Sequence, residues 1–179
     1  MIDKFFKKIV NPKNKEVKVI VEMSGNHQGK FSGAKKFIDD AIKNGADAIK
    51  FQVYKPETIT LKSNKKDFLV KTTGVWGKYK TLHDLYKEAH TPWEWISKLA
   101  GLLNKKKFPW FASPFDATSV DFLEKLNCQA YKIASPEITD IPLVEKVLTT
   151  KKPIIFSTGL ATFKDIDLLV KTIKKKHNK

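Results

Sequence analysis

Apolar positions along this chain alternate between two spacings. Residues 17–22, 48–53, 108–113, 128–133 and 153–157 form short, mostly apolar runs bounded by Gly, Pro or polar turns, the pattern of strands in a buried parallel sheet. The segments between them carry the helical repeat: Phe31, Ala34, Phe37, Ile38, Ala41 and Ile42 up to a stop at Gly45, then Trp93, Ile96, Leu99, Ala100 and Leu103 behind Pro92. Val120, Leu123 and Leu126 follow a cap at Asp116, and Leu143, Val144, Val147 and Leu148 follow one at Asp140. Thr162 caps a last helix using Ile166, Leu169, Val170 and Ile173. Residues 54–91 show no clear periodicity, and a connection so much longer than the usual ~2–6 residues is expected to be a lid, a binding loop or a loosely ordered insertion.

Five strands alternating with helices predict an α/β protein with a parallel sheet. Two architectures fit: a doubly wound five-stranded sheet, or the first five βα units of a (β/α)₈ TIM barrel, whose complete form takes ~250 residues. The strand ends decide between them. Glu22, Lys50 with Gln52, Ser113, Lys132 with Ser135, and Ser157 lie at or near the C-terminal ends of successive strands. Five neighbours in an open sheet, ~4.8 Å apart, spread over roughly 20 Å, too far for one small ligand. On a barrel they surround one mouth, so an incomplete (β/α)₈ barrel over residues 17–179 is the expected fold, behind a lysine-rich lead at 1–16.

Two lysines and three hydroxyls around one mouth suit a small phosphorylated or carboxylated anion. Lys132 alone is equally well a lysine that buries its stem and extends its ammonium to water. Glu22 is either an acid or base with a raised pKa, or a partner for Lys50 or Lys132. His27, in a polar loop, is more ordinarily structural than a metal ligand, and His83 and His90 make no ligand-spaced pair. Cys128, the single cysteine, reads as packing.

Composition narrows the field. An apolar fraction of 41% over 179 residues gives a core for one domain. No apolar run reaches the ~20 residues that span a bilayer, and the first residues lack a signal-peptide pattern, so a cytoplasmic protein with no membrane partner is expected. The formal charge of +15 comes with 34 lysines and no arginine. Arginine is the side chain that forks onto guanine edges and phosphates, so its absence argues against a nucleic-acid partner. The dense blocks at Lys105–Lys107 and Lys174–Lys176 close predicted helices, where cations favour the dipole.

The strand-end strings Glu22-Met23-Ser24-Gly25-Asn26-His27, Ile49-Lys50-Phe51-Gln52, Ser113-Pro114-Phe115-Asp116, Tyr131-Lys132-Ile133-Ala134-Ser135 and Ser157-Thr158-Gly159 resemble the successive motifs of the sialic acid synthase family. His90-Thr91-Pro92-Trp93-Glu94-Trp95 and the form of the first motif are most similar to its pseudaminic acid synthase branch. The resemblance implies a (β/α)₈ barrel that joins phosphoenolpyruvate to the aldehyde carbon of an N-acetylated amino sugar, of the 2,4-diacetamido-2,4,6-trideoxy-altrose type, releasing phosphate. It implies that Lys50, Lys132, Ser113, Ser135 and Ser157 hold phosphoenolpyruvate, that Glu22 faces the sugar and the attacking water, and that Gln52 and Glu137 position substrate. Catalytic roles then fall to Glu22, Lys50 and Lys132.

Ser113 stands where relatives often have threonine, and Pro136 where many have glycine. The family also implies a divalent metal, Mn or Mg, whose histidine ligands lie in barrel units beyond Lys179; His177 is no replacement. A homodimer, or a partner chain completing the barrel, is expected. Two rival readings are another phosphoenolpyruvate-using sugar acid synthase and a noncatalytic basic binding module. If this is the N-terminal portion of a synthase, the expected outcome is no condensation by the chain alone; metal-dependent phosphate release from phosphoenolpyruvate plus amino sugar would refute that.

Overall fold

The computed structural model describes residues 2–11, 13, 15–71, 74 and 76–177. Its strands are β1 (Ile20–Glu22), β2 (Ala48–Val53), β3 (Trp110–Pro114), β4 (Tyr131–Ile133) and β5 (Ile154–Phe156). All pair parallel, in the order β1-β2-β3-β4-β5. A doubly wound sheet reverses its strand order at a switch point; this one never does. Right-handed crossovers that always step the same way place every connecting helix on one face. The sheet is therefore an open arc of a (β/α)₈ barrel, as the strand ends predicted.

That outer face carries α2 (Phe31–Lys43), α5 (Trp93–Lys105), α6 (Ala117–Lys125), α7 (Ile141–Leu148) and α8 (Phe163–His177). Their apolar stripes meet the outward side chains of the strands, Ile49, Phe51 and Val53 of β2, Trp110 and Ala112 of β3, and Tyr131 and Ile133 of β4, in one buried core. The predicted caps are in place: Asp116 accepts from Ser119 N, Asp140 from Leu143 N, and Thr162 Oγ1 from Asp165 N. Gly45 ends the turn after α2 at φ +91°, a backbone angle that favours glycine.

The lysine-rich lead contains a helix. Residues 2–10 form a helix, α1 (Ile2–Val10), whose Phe5 and Phe6 are buried against Ala48, Phe111 and Ala130 on the inner face, beside Ile20 and Ile155. Phe6 meets the Phe111 ring edge-on at 5.5 Å. Ile2, Phe5, Phe6, Ile9 and Val10 recur at helical spacing between the lysines. Met1, Pro12 and Asn14 of the expected lead lie outside the described residues.

The 54–91 segment is also more ordered than its sequence predicts. It holds α3 (Pro56–Ile59), a 3-10 turn at Lys66–Phe68, an antiparallel bridge between Leu69 and Thr81, and α4 (Leu82–Ala89), capped by Thr81. Tyr54 anchors it, packing edge-on against Tyr86 and Phe115, and the Trp93 indole donates to the Tyr54 carbonyl at 3.2 Å. No helix among the described residues is long and apolar enough to cross a membrane.

Because Phe6 joins α1 to the inner face, Phe6→Ala is expected to lower stability by about 3 kcal/mol, the cost of emptying a buried aromatic site. Phe6→Leu should cost less than about half of that. Urea denaturation of the three proteins checks both.

Candidate active site at the C-terminal strand ends

Alternation along each strand sorts the inner face into an apolar lower part and a polar upper part. Register places Glu22 beside Lys50, and Gln52 beside Ser113. Since Ala112 pairs with Tyr131, Ser113 is level with Lys132, which in turn pairs with Ile155. Ser157 N donates to the Ile133 carbonyl at 3.1 Å, continuing the ladder past β5 and putting the Ser157 side chain on the same face as Ile155. Glu22, Lys50, Gln52, Ser113, Lys132 and Ser157 therefore share one side of one sheet.

Glu22 and Lys50 form a cross-strand ion pair. Burial, followed by the positive charge of Lys132, pushes the Lys50 ammonium down to about 8 although Glu22 sits against it. Lys132 is also lowered by burial, opposed by Glu137. Glu137 is raised, first by burial, with Lys132 opposing. Its Oε2 is buried without a hydrogen-bond partner among the described residues, and so is Ser113 Oγ, in a residue 2% exposed. Buried polar atoms are nearly always satisfied, so two orphans on the walls of one site mark where a polar ligand would bind.

Ser135 has a second task. Its Oγ accepts from Leu160 N at 2.6 Å, tying the loop after β5 to the end of β4 while leaving the hydroxyl proton to donate elsewhere. Gly159 lies under this contact, where an added Cβ would sit 3.7 Å from Ser135 Oγ.

Ser24 is the residue that sequence reasoning missed. Its N–H donates to Glu22 Oε1 at 3.1 Å and its Oγ to Gln52 Oε1 at 2.8 Å, while its carbonyl accepts from Thr91 Oγ1 at 3.2 Å. It holds φ +47°, a left-handed conformation costing a serine about 1 kcal/mol or more. A polar loop beside a strand end was the available signal; the backbone angle was not readable.

His27 is buried, its Nδ1 accepts from Gly29 N at 3.1 Å, its ring meets Trp95 edge-on, burial lowers its pKa, and its Nε2 is buried without a hydrogen-bond partner among the described residues. Cys128 is buried with its thiol pushed up to about 12, an inert packing residue. Among the described residues no group of three or more His, Cys, Asp or Glu side chains could hold a metal ion. With Glu22 engaged by Lys50 and His27 packed against Trp95, the described residues do not by themselves fit a divalent cation, whose ligands are expected outside this chain.

Residues 37–179 match the family model described as the NeuB family. A pseudaminic acid synthase of Campylobacter jejuni is 42% identical over 165 residues, 92% of this chain and 48% of that protein. One from Helicobacter pylori is 38% identical over 161 residues, covering 90% of this chain and 47% of the relative. The chain spans about half the length of the curated relatives it matches. The crystal structure of an N-acetylneuraminic acid synthetase from Leptospira borgpetersenii, in complex with citrate, superposes with a TM-score of 0.73 at 31% identity, over 91% of this chain and 52% of that one.

The Lys50 shift has a signed consequence. Below about pH 8 Lys50 is charged and above it neutral, so affinity for a small dianion such as sulfate should fall as pH rises through about 8. Lys50→Met should abolish that inflection in a calorimetric titration series. Stability moves the other way: the folded pKa lies below the ordinary 10.5, so the unfolded chain binds the extra proton between those values and Lys50's contribution to stability rises with pH there.

Proposed function

The chain belongs to the NeuB family, and from that premise we propose that its strand ends bind phosphoenolpyruvate in a synthase that condenses it with an N-acetylated amino sugar. The observation that carries this reading is the pairing of two part-buried lysines, on one face of the sheet, with an orphaned serine hydroxyl between them. Two ammonium groups and a neutral donor, all facing one lumen, fit an acid that bears both a phosphate and a carboxylate. The reaction and its substrates are proposed for the whole protein, about half of whose relatives' length is represented here.

In this reading Lys50 and Lys132 supply fixed positive charge, and the hydroxyls of Ser113, Ser135 and Ser157 donate to the anion's oxygens. The enol carbon attacks the sugar's aldehyde carbon, forming the new C–C bond while the aldehyde oxygen takes up a proton. Water adds to the resulting cationic carbon and gives its proton to a base. The tetrahedral product then breaks its C–O bond to phosphate as its new hydroxyl becomes a carbonyl and passes its proton to the departing phosphate, leaving a nonulosonic acid. Glu22 faces the sugar and the attacking water, and Gln52 and Glu137 position substrate. Glu137 is suited to holding a proton, since burial raises it. The two pseudaminic acid synthases at 42% and 38% identity support a 2,4-diacetamido-2,4,6-trideoxy-altrose sugar.

Calorimetric titration of phosphoenolpyruvate tests the reading. Lys50→Met and Lys132→Met should each weaken binding about tenfold or more, as loss of a charge-assisted contact does, and Ser113→Ala by a smaller factor. Phosphoenolpyruvate affinity indifferent to both lysines would overturn it.

A further inference from the structure

All three polar groups of Ser24's backbone and side chain are spent on orienting neighbours: the N–H on Glu22, the hydroxyl on Gln52, the carbonyl on Thr91. A hydroxyl has one proton to donate, and here it goes to the carboxamide oxygen of Gln52. The Nε2 group of Gln52 must then face away from Ser24. Gln52 lies beside Ser113 in the inner row, so its two N–H bonds remain available at the mouth.

Ser24 itself is held from outside the sheet. Thr91, 3% exposed, grips its carbonyl, and the neighbouring Gly25 lies so near the Ala89 carbonyl that an added Cβ would sit 2.8 Å from it. The end of α4 thus presses the loop after β1 into the left-handed turn at Ser24, φ +47°.

We infer that Ser24 is a positioning residue for the sugar: it sets the Gln52 carboxamide with its amino group toward the mouth, where it donates to an acceptor oxygen of the amino sugar. This rests on the synthase reading above. Discrimination of this kind is strong because a donor turned the wrong way leaves the ligand's oxygen unpaired.

The test uses Ser24→Gly, which removes the hydroxyl, keeps the backbone N–H and carbonyl, and suits the left-handed angle, so folding is not at risk. Ser24→Ala serves as a second variant. Affinity for 2,4-diacetamido-2,4,6-trideoxy-altrose should fall about fivefold in both, with phosphoenolpyruvate affinity unchanged within about twofold. In a Gln52→Ala background Ser24→Gly should have no further effect, since the hydroxyl acts through the carboxamide. The side-chain amide resonances of Gln52, assigned by their loss in Gln52→Ala, should shift in Ser24→Gly without any ligand. Unchanged sugar affinity, an equal loss in the Gln52→Ala background, or unmoved Gln52 resonances would each overturn the inference. A protein that binds neither compound instead overturns the synthase reading, and with it the sugar as the carboxamide's partner, while the Gln52 resonances still report whether Ser24 orients it.

Discussion

Everything at the upper end of the sheet follows from placing two ammonium groups on the same inner face. Burial, and after it the positive charge of Lys132, lowers the Lys50 pKa. Glu22 answers one of them directly. Glu137 opposes the lowering of the other, while burial raises its own carboxyl. The lysines stand on β2 and β4, separated by β3, whose inward residue between them is Ser113 with its orphaned hydroxyl. Two part-buried ammonium groups flanking an unsatisfied hydroxyl suit a small anion.

The lower end of the same face obeys the opposite rule. There the inward positions are Ile20, Ala48, Phe111, Ala130 and Ile155, and two phenylalanines from α1 cover them. Small residues on β2 and β4 flank the large one on β3, which leaves room for the Phe6 ring to meet Phe111 at its edge. Closing this end dry strengthens the electrostatics above it, because charge interactions grow as water is excluded.

Sequence periodicity carried most of the fold. β2 was bounded correctly from its alternation, and three helix caps were placed on Asp116, Asp140 and Thr162 from residue type alone. Strand-end chemistry distinguished a barrel arc from a doubly wound sheet, and the observed strand order agrees. What escaped was one amphipathic stripe set among lysines, and structure built by packing without period. In α1, Ile2, Phe5, Phe6, Ile9 and Val10 recur at i, i+3, i+4, i+7 and i+8, a helical pattern present in the sequence. In the segment after β2, order comes from Tyr54 meeting residues far away in sequence, Tyr86 and Phe115, which no local window contains. The candidate site was legible as a list of strand-end side chains, but Ser24 was not, because its role depends on a backbone angle imposed by residues 89–91.

The absence of arginine acquires a meaning at this site. A guanidinium beside Glu22 would stay charged at any pH reached in water, forked and fixed in geometry. A lysine can be lowered by its surroundings, and Lys50 is, to about 8. The site's positive charge is therefore adjustable: a bound dianion favours the protonated ammonium, while an empty site lets the proton go more readily. Glu22 couples this to the loop after β1, since the carboxylate that pairs with Lys50 also accepts the Ser24 N–H. Ser24 in turn holds Gln52, and Thr91 holds Ser24. The Ser24 backbone thus serves the charge on β2 while its hydroxyl serves the carboxamide, so the two contacts are made by separate groups of one residue.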